Sequence, residues 1–247
     1  MTIRQMGLMA CLWMAASSTA FAADPGTSRE LATIRSQLAV EYAKIGNYKV
    51  ALETADQAVA ADAAYVPAYV SRAYVLTLLR EDGPAEANYL KALQLDPSSP
   101  EANNNYGLFL CDRNRPQDSL SYFQKALANP LYDSPQTAYL NLGHCSAKMG
   151  NKEQANDYLL AALRAVPNFA PALRELAQLH LGLGNAKLAA FYFERMGKGA
   201  ALQADDLWLG VQIGRASGNR VLESESSAAL KNRYPDSKET QLLLSGS

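Results

Sequence analysis

A block of about 34 residues recurs six times along the chain, in segments 32–65, 66–99, 100–135, 136–169, 170–203 and 204–237. A unit that short cannot bury its own apolar face, so successive copies must stack. The third copy carries a two-residue insertion. Position 8 of the unit holds Ala39, Ala73, Gly107, Gly143, Ala177 and Val211. Position 20 holds Ala51, Ala85, Ser119, Ala155, Ala189 and Glu223, and position 27 holds Ala58, Ala92, Ala126, Ala162, Met196 and Leu230. Pro97, Pro130, Pro167 and Pro235 fall near position 32. Gly46, Gly150, Gly184 and Gly218 stand at position 15, each followed by asparagine.

This pattern resembles the tetratricopeptide repeat. The resemblance implies an all-α chain, a right-handed α-solenoid of about six tetratricopeptide repeats, each a helix A and a helix B. Small residues at positions 8 and 20 let the two helices approach closely. Large ones fill around that contact, such as Tyr139, Leu142 and Leu159 in the fourth repeat. Glycine at position 15 suits a left-handed turn residue between the helices, and proline near position 32 ends helix B. Tyr48, Tyr89, Tyr158 and Tyr192 fall in the rows that pack A on B. The sixth repeat departs at positions 8 and 20, as a terminal repeat with one free face can.

The first 22 residues read as an export signal. Arg4 precedes an apolar run from Met6 to Ala16, and Ala20-Phe21-Ala22 is a small-x-small cleavage pattern. The run is about half the length needed to span a bilayer. Leu8-Met9-Ala10-Cys11 also has the form of a lipobox, which makes Cys11 a candidate lipidation site and a candidate anchor to the outer membrane. Cleavage after Ala22 and lipidation at Cys11 are alternatives. Residues 23–31 are expected to be an N-terminal linker and 238–247 a C-terminal tail or capping segment.

Hydrophobic residues make up 49% of the chain and charged ones 19%, enough apolar matter for a packed core rather than disorder. A net charge of −1 shows no basic excess of the kind that nucleic-acid binders carry. Phosphate-loop, G-x-S-x-G, HExxH and CxxC motifs are missing, so no catalytic, cofactor or metal residue is assigned. His180, at position 11, reads as packed in the core. His144, at position 9, reads as a groove residue, either a ligand contact or a solvated polar side chain. Cys111 and Cys145 lie on helix A of repeats 3 and 4, at positions that face each other. Adjacent A helices run about 8–10 Å apart, which brings facing Cα atoms into disulfide range. Both a bridge stapling the two repeats and a pair of buried thiols fit that placement.

Asn103-Asn104-Asn105-Tyr106-Gly107 opens a helix where the repeat prefers a large apolar residue. Asparagine is a mediocre helix former, so propensity does not explain the run. The amides either clamp the backbone of a bound peptide, with donor and acceptor together, or bond neighbouring loop backbone. Together with Tyr74, Leu108, Leu140, Asn141, His144, Arg174 and Gln178, Asn104 and Asn105 form the expected partner groove on the A helices; Trp208 falls in the same row. This mixture suits an extended segment or a helix of a protein partner. It does not suit an acidic tail, because basic residues in the groove are few.

Longer strings point further. Asn103-Asn104-Asn105-Tyr106-Gly107 running on to Phe109-Leu110-Cys111, Asn141-Leu142-Gly143 with Cys145-Ser146-Ala147-Lys148, and Leu202-Gln203-Ala204-Asp205-Asp206-Leu207 are similar to the type IV pilus biogenesis and stability proteins, exported tetratricopeptide proteins of Gram-negative bacteria. The resemblance implies a non-catalytic scaffold in the periplasm, at the inner face of the outer membrane. Its implied partners are secretin subunits or other pilus assembly components. It also implies the Cys111–Cys145 bridge. A generic periplasmic adaptor or chaperone-like envelope-assembly factor is the alternative.

Overall fold

Helix ends follow the punctuation of the sequence. The computed structural model describes residues 25–197 and 202–246. Thirteen helices and no strand occur among the described residues. Twelve form pairs: α1 (Pro25–Lys44) with α2 (Tyr48–Ala61), α3 (Val66–Leu78) with α4 (Asp82–Leu95), α5 (Pro100–Asp112) with α6 (Pro116–Ala128), α7 (Pro135–Lys148) with α8 (Lys152–Ala165), α9 (Ala170–Gly182) with α10 (Ala186–Gly197), and α11 (Ala204–Ser217) with α12 (Arg220–Arg233). The short α13 (Lys238–Leu244) stands where a further A helix would, against α11 and α12. Five A helices, α1, α3, α5, α7 and α9, carry proline in their first turn, where the missing N–H is no loss. Asn47 and Asn219 cap α2 and α12 by accepting from the amides of Val50 and Leu222. Among the described residues no helix is long and apolar enough to cross a membrane.

Every A-to-B turn passes through one left-handed residue. Gly46, Gly150, Gly184 and Gly218 have φ of 78°, 81°, 76° and 70°; the same position is filled by Arg80 at 64° and Asn114 at 59°. The next amide reaches back to the helix: Asn47 N–H to Tyr42 O at 2.9 Å, Glu81 to Leu76 at 3.0 Å, and Arg115 to Leu110 at 2.9 Å. Asn151 to Ser146 and Asn185 to His180 repeat the bond at 2.9 Å. This is the Schellman closure, and it satisfies a carbonyl that the helix end would leave unpaired.

Within each pair the small positions do what their spacing requires. Ala39, Ala51, Ala73, Ala85, Ala155, Ala177 and Ala189 are all fully buried. A Cβ built on Gly143 would stand 2.7 Å from Leu159 Cγ, so α7 and α8 approach too closely for any side chain there. The sixth pair solves the same problem differently. Val211 takes the alanine position, and Gly214 supplies the close approach instead, 2.6 Å from the Glu223 backbone nitrogen to its virtual Cβ.

Two expectations need correction. Residues 25–31 are not linker: α1 begins at Pro25, whose fixed φ suits a first helical position, and runs 20 residues with Ala32 packed beneath it. Tyr48 is exposed rather than packed between helices, because it opens α2 before that helix has converged on α1. Tyr89 and Tyr192 are buried as expected, and Tyr158 is partly buried against the core. The leader at 1–22 and Cys11 lie outside the described residues.

Candidate functional site

Curvature decides which face can hold a partner. Each A helix brings Cα atoms within 8 Å of the next, from α1 with α3 through α9 with α11, whereas successive B helices keep their backbones further apart among the described residues. The stack therefore closes toward its A helices, and their outer sides form the concave face. Along that face the two halves of the molecule differ.

In the C-terminal half, ion pairs link one repeat to the next. His144 on α7 lies between two carboxylates, with Nε2 3.7 Å from Asp112 Oδ1 on α5 and Nδ1 3.3 Å from Glu175 Oε1 on α9. Lys148 Nζ reaches the same Asp112 oxygen at 3.0 Å. The carboxylates of Asp112 and then Glu175 raise the His144 pKa to about 9. The same contacts, His144 first and Lys148 after it, lower the Asp112 pKa to about 2. Arg174 on α9 pairs with Asp205 and, at 2.8 Å, with Asp206 at the start of α11. His144 and Arg174 are thus tied to their own chain. Sequence assigns no site role to Asp112 or Glu175, and Lys148, Asp205 and Asp206 enter it only within the longer strings that carry the family resemblance. Their signal is opposite charge about one repeat apart, such as the 31 residues separating His144 from Glu175.

The asparagine run splits into three roles. Asn103 is buried and donates to the carbonyls of Pro97 at 2.9 Å and Ser99 at 2.8 Å, holding the loop before α5. Asn104 is buried and accepts from Asn141 Nδ2 at 3.0 Å, a side-chain bond between α5 and α7. Of the two readings of the run, the bond to neighbouring loop backbone describes Asn103, while Asn104 and Asn141, both expected in the partner groove, are bonded to each other because the A helices bring the two amides together. Asn105 is half-buried and donates to Glu101 O at 2.8 Å, leaving its carbonyl oxygen for another donor. Beneath this run, Cys111 and Cys145 are joined as a disulfide with Cα atoms 5.9 Å apart, both fully buried. Asp112, His144 and Cys111 lie within 4.8 Å of one another, a spacing that could hold a metal ion. With the Cys111 sulfur in the disulfide, the group offers an imidazole and a carboxylate already paired together. His180 is buried, stacked on Tyr192, with Nε2 3.1 Å from Asn156 Oδ1, and burial lowers its pKa.

In the N-terminal half the concave face is open. A cleft of about 450 Å³ runs between α1, α3 and the start of α5. Val40, Val66, Val70 and Tyr74 supply its apolar wall, and Glu41, Glu101 and Asn105 its polar rim. Of the expected groove residues, Tyr74 and Asn105 line this cleft. Leu108 and Leu140 are half-buried and pack against core clusters further along, and Gln178 is exposed. Sequence reasoning named neither Val66 nor Val70, although Val70 stands at position 5, in the same row as Asn104, Leu140 and Arg174.

Comparison with known proteins gives three findings. A tetratricopeptide repeat family model matches residues 75–134 and 137–203. The type IV pilus assembly protein PilF of Pseudomonas aeruginosa is 28% identical over 205 residues, which is 83% of this chain and 81% of that protein. Among solved structures, PilW, described as a widely conserved type IV pilus biogenesis factor, matches with 40% identity and a TM-score of 0.76, over 87% of this chain and 99% of that one. A solved structure of Pseudomonas aeruginosa PilF matches with 26% identity and a TM-score of 0.71, over 90% of this chain and 100% of that one.

Proposed function

The chain belongs to the tetratricopeptide repeat family, among its type IV pilus biogenesis members, and from that premise we propose that it is a non-catalytic periplasmic scaffold for pilus assembly. It is exported by its N-terminal segment and works at the inner face of the outer membrane. There it grips a segment of a pilus assembly component, a secretin subunit in the first instance, and so supports secretin assembly.

The observation that carries this reading is the contrast along the concave face. Repeats 3 to 6 bind one another through His144 and Arg174, while repeats 1 to 3 leave an apolar cleft with a carboxylate rim. An apolar floor between polar edges fits the apolar side of a helix or extended segment. Glu41 and Glu101 favour a segment with basic flanks over an acidic one. Binding energy at such faces concentrates in a few central side chains.

The test is a set of chromosomal variants scored for surface pili and for secretin multimers, with protein level checked first. Val70→Lys and Tyr74→Ala are expected to lower both, and Lys187→Ala, an exposed residue on α10, to leave both unchanged. Stable cleft variants with normal pili and normal multimers would sink the assignment of the cleft. A deletion strain with normal secretin multimers and few pili would move the partner from the secretin to the fibre.

A further inference from the structure

The joint between repeats 3 and 4 holds more than a bridge. Helix α5 ends on Cys111 and Asp112, and α7 carries His144 one residue before Cys145. A sulfur, a carboxylate oxygen and an imidazole nitrogen from Cys111, Asp112 and His144 lie within 4.8 Å of one another. In a tetrahedral site with Zn–S of about 2.3 Å and Zn–N and Zn–O of about 2.0 Å, the donors stand about 3.3–3.6 Å apart. Closing the set therefore takes about 1 Å of movement. Asp112 and His144 can supply it, since their side chains are 41% and 36% exposed. Cys111 is fully buried, so its sulfur forms the floor of the group, and the other two donors form the open side through which an ion enters.

The surroundings match those of a metal ligand set. His144 Nδ1 stands 3.3 Å from Glu175 Oε1, and Nε2 stands 3.7 Å from Asp112 Oδ1. A carboxylate behind one ring nitrogen fixes the tautomer and leaves the other nitrogen for an ion. Asp112 also draws the Lys148 ammonium, at 3.0 Å. Lys148 is partly exposed, so its ammonium can leave Asp112 for water when an ion takes its place. Thiolate, imidazole and carboxylate together select a borderline ion such as Zn²⁺ over Mg²⁺ or Ca²⁺, which take oxygen donors.

With the bridge formed, the Cys111 sulfur is bonded to Cys145 and is not a thiolate, the form that binds metal. The chain is synthesised with both cysteines as thiols, so it passes through a state in which Cys111 is free. We propose that in this dithiol state Cys111, Asp112 and His144 bind one Zn²⁺, with water in the fourth place and Glu175 as the positioning residue for His144. The ion ties α5 to α7, the same two helices that the bridge ties. Ion and bridge exclude each other, because both need the Cys111 sulfur. The joint is thus held by one tie before oxidation and by the other after it.

Co²⁺ takes the place of Zn²⁺ in such sites and reports a bound thiolate by a charge-transfer band, so cobalt absorbance on the purified protein is the measurement. Cys145→Ser leaves Cys111 as a thiol without any reductant, and wild type reduced with a phosphine is the second sample. Both are expected to take up one Co²⁺ per chain with the charge-transfer band, to release it to Zn²⁺, and to keep their helicity. The bridged wild type shows no band. In the Cys145→Ser background, His144→Gln and Asp112→Asn weaken binding at least about tenfold. Glu175→Gln weakens it about tenfold with the stoichiometry unchanged, and Lys187→Ala on α10 leaves it as it was. Absence of the band from both samples while helicity is kept overturns the proposal. So does a band whose affinity His144→Gln does not change, or one that appears in the bridged protein. Loss of helicity in both samples that Zn²⁺ does not restore overturns it as well, since an ion that tied α5 to α7 would recover it.

Discussion

Arg80 and Asn114 do at the residue scale what four glycines do elsewhere. Both hold the left-handed turn between helices A and B, Arg80 at φ 64° and Asn114 at 59°. Asparagine visits that region at modest cost, but a long side chain loses about 1–2 kcal/mol there. Replacing Arg80 by glycine removes that strain and adds back unfolded-state entropy. Urea denaturation of Arg80→Gly should therefore show a gain of about 0.5–1 kcal/mol. His144 carries a second prediction. Its pKa of about 9 in the folded chain lies above the ordinary 6.5, because Asp112 and Glu175 favour the charged form. The stabilisation is fully present below about pH 6.5 and is lost as pH rises through about 9. Since the ring is about a third exposed, solvent screening leaves an effect on the order of 1 kcal/mol. Thermal melts of wild type and His144→Gln should differ most near pH 6 and converge above about pH 9.5; a constant difference would mean that the histidine acts by packing alone.

At the scale of elements, the joint between repeats 3 and 4 is the most heavily tied. The Asn104–Asn141 amide bond, the Cys111–Cys145 bridge and the Asp112 pairs to His144 and Lys148 all join α5 to α7. The two-residue insertion of the third repeat lies in the connection just before α7, so the register there is not set by the repeat alone. The bridge closes a loop of 34 residues. In the chain-entropy account such a cross-link stabilises by about 3–4 kcal/mol. Chemical denaturation with and without reductant should show a difference of that size, and Cys111→Ser with Cys145→Ser should reproduce the reduced curve. Thiol labelling of the exported protein without reductant should find neither cysteine.

On the scale of the whole molecule, one scaffold is put to two uses. The C-terminal repeats are joined along their concave side by ion pairs, which hold that half in a fixed curvature. The N-terminal repeats leave their concave side free, and a preorganised frame behind an open cleft lowers the ordering cost of binding. The groove expected from sequence was centred on repeats 3 to 5, where His144 and Arg174 stand. The open cleft lies one to two repeats earlier. Position in the repeat identified side chains that reach the concave layer, as it did for Tyr74 and Asn105. It carried no information on whether a neighbouring repeat had already engaged them.

What the sequence determined by itself was everything governed by local spacing. The 34-residue period, the small residues at positions 8 and 20 and the turn residue at position 15 specify helix pairs and their stacking. Each of those contacts lies within one repeat or between neighbours. The roles of His180 and of the buried alanines followed from the same spacing. Only the tertiary structure decided which polar side chains of the A helices were occupied. Asn104 meets Asn141, and Arg174 meets Asp206, across repeats whose relative rotation no local pattern encodes. It also decided where apolar surface remained bare, at the cleft of α1, α3 and α5. Exposure depends on which neighbour is missing, and a repeat reads alike whether or not another stands before it.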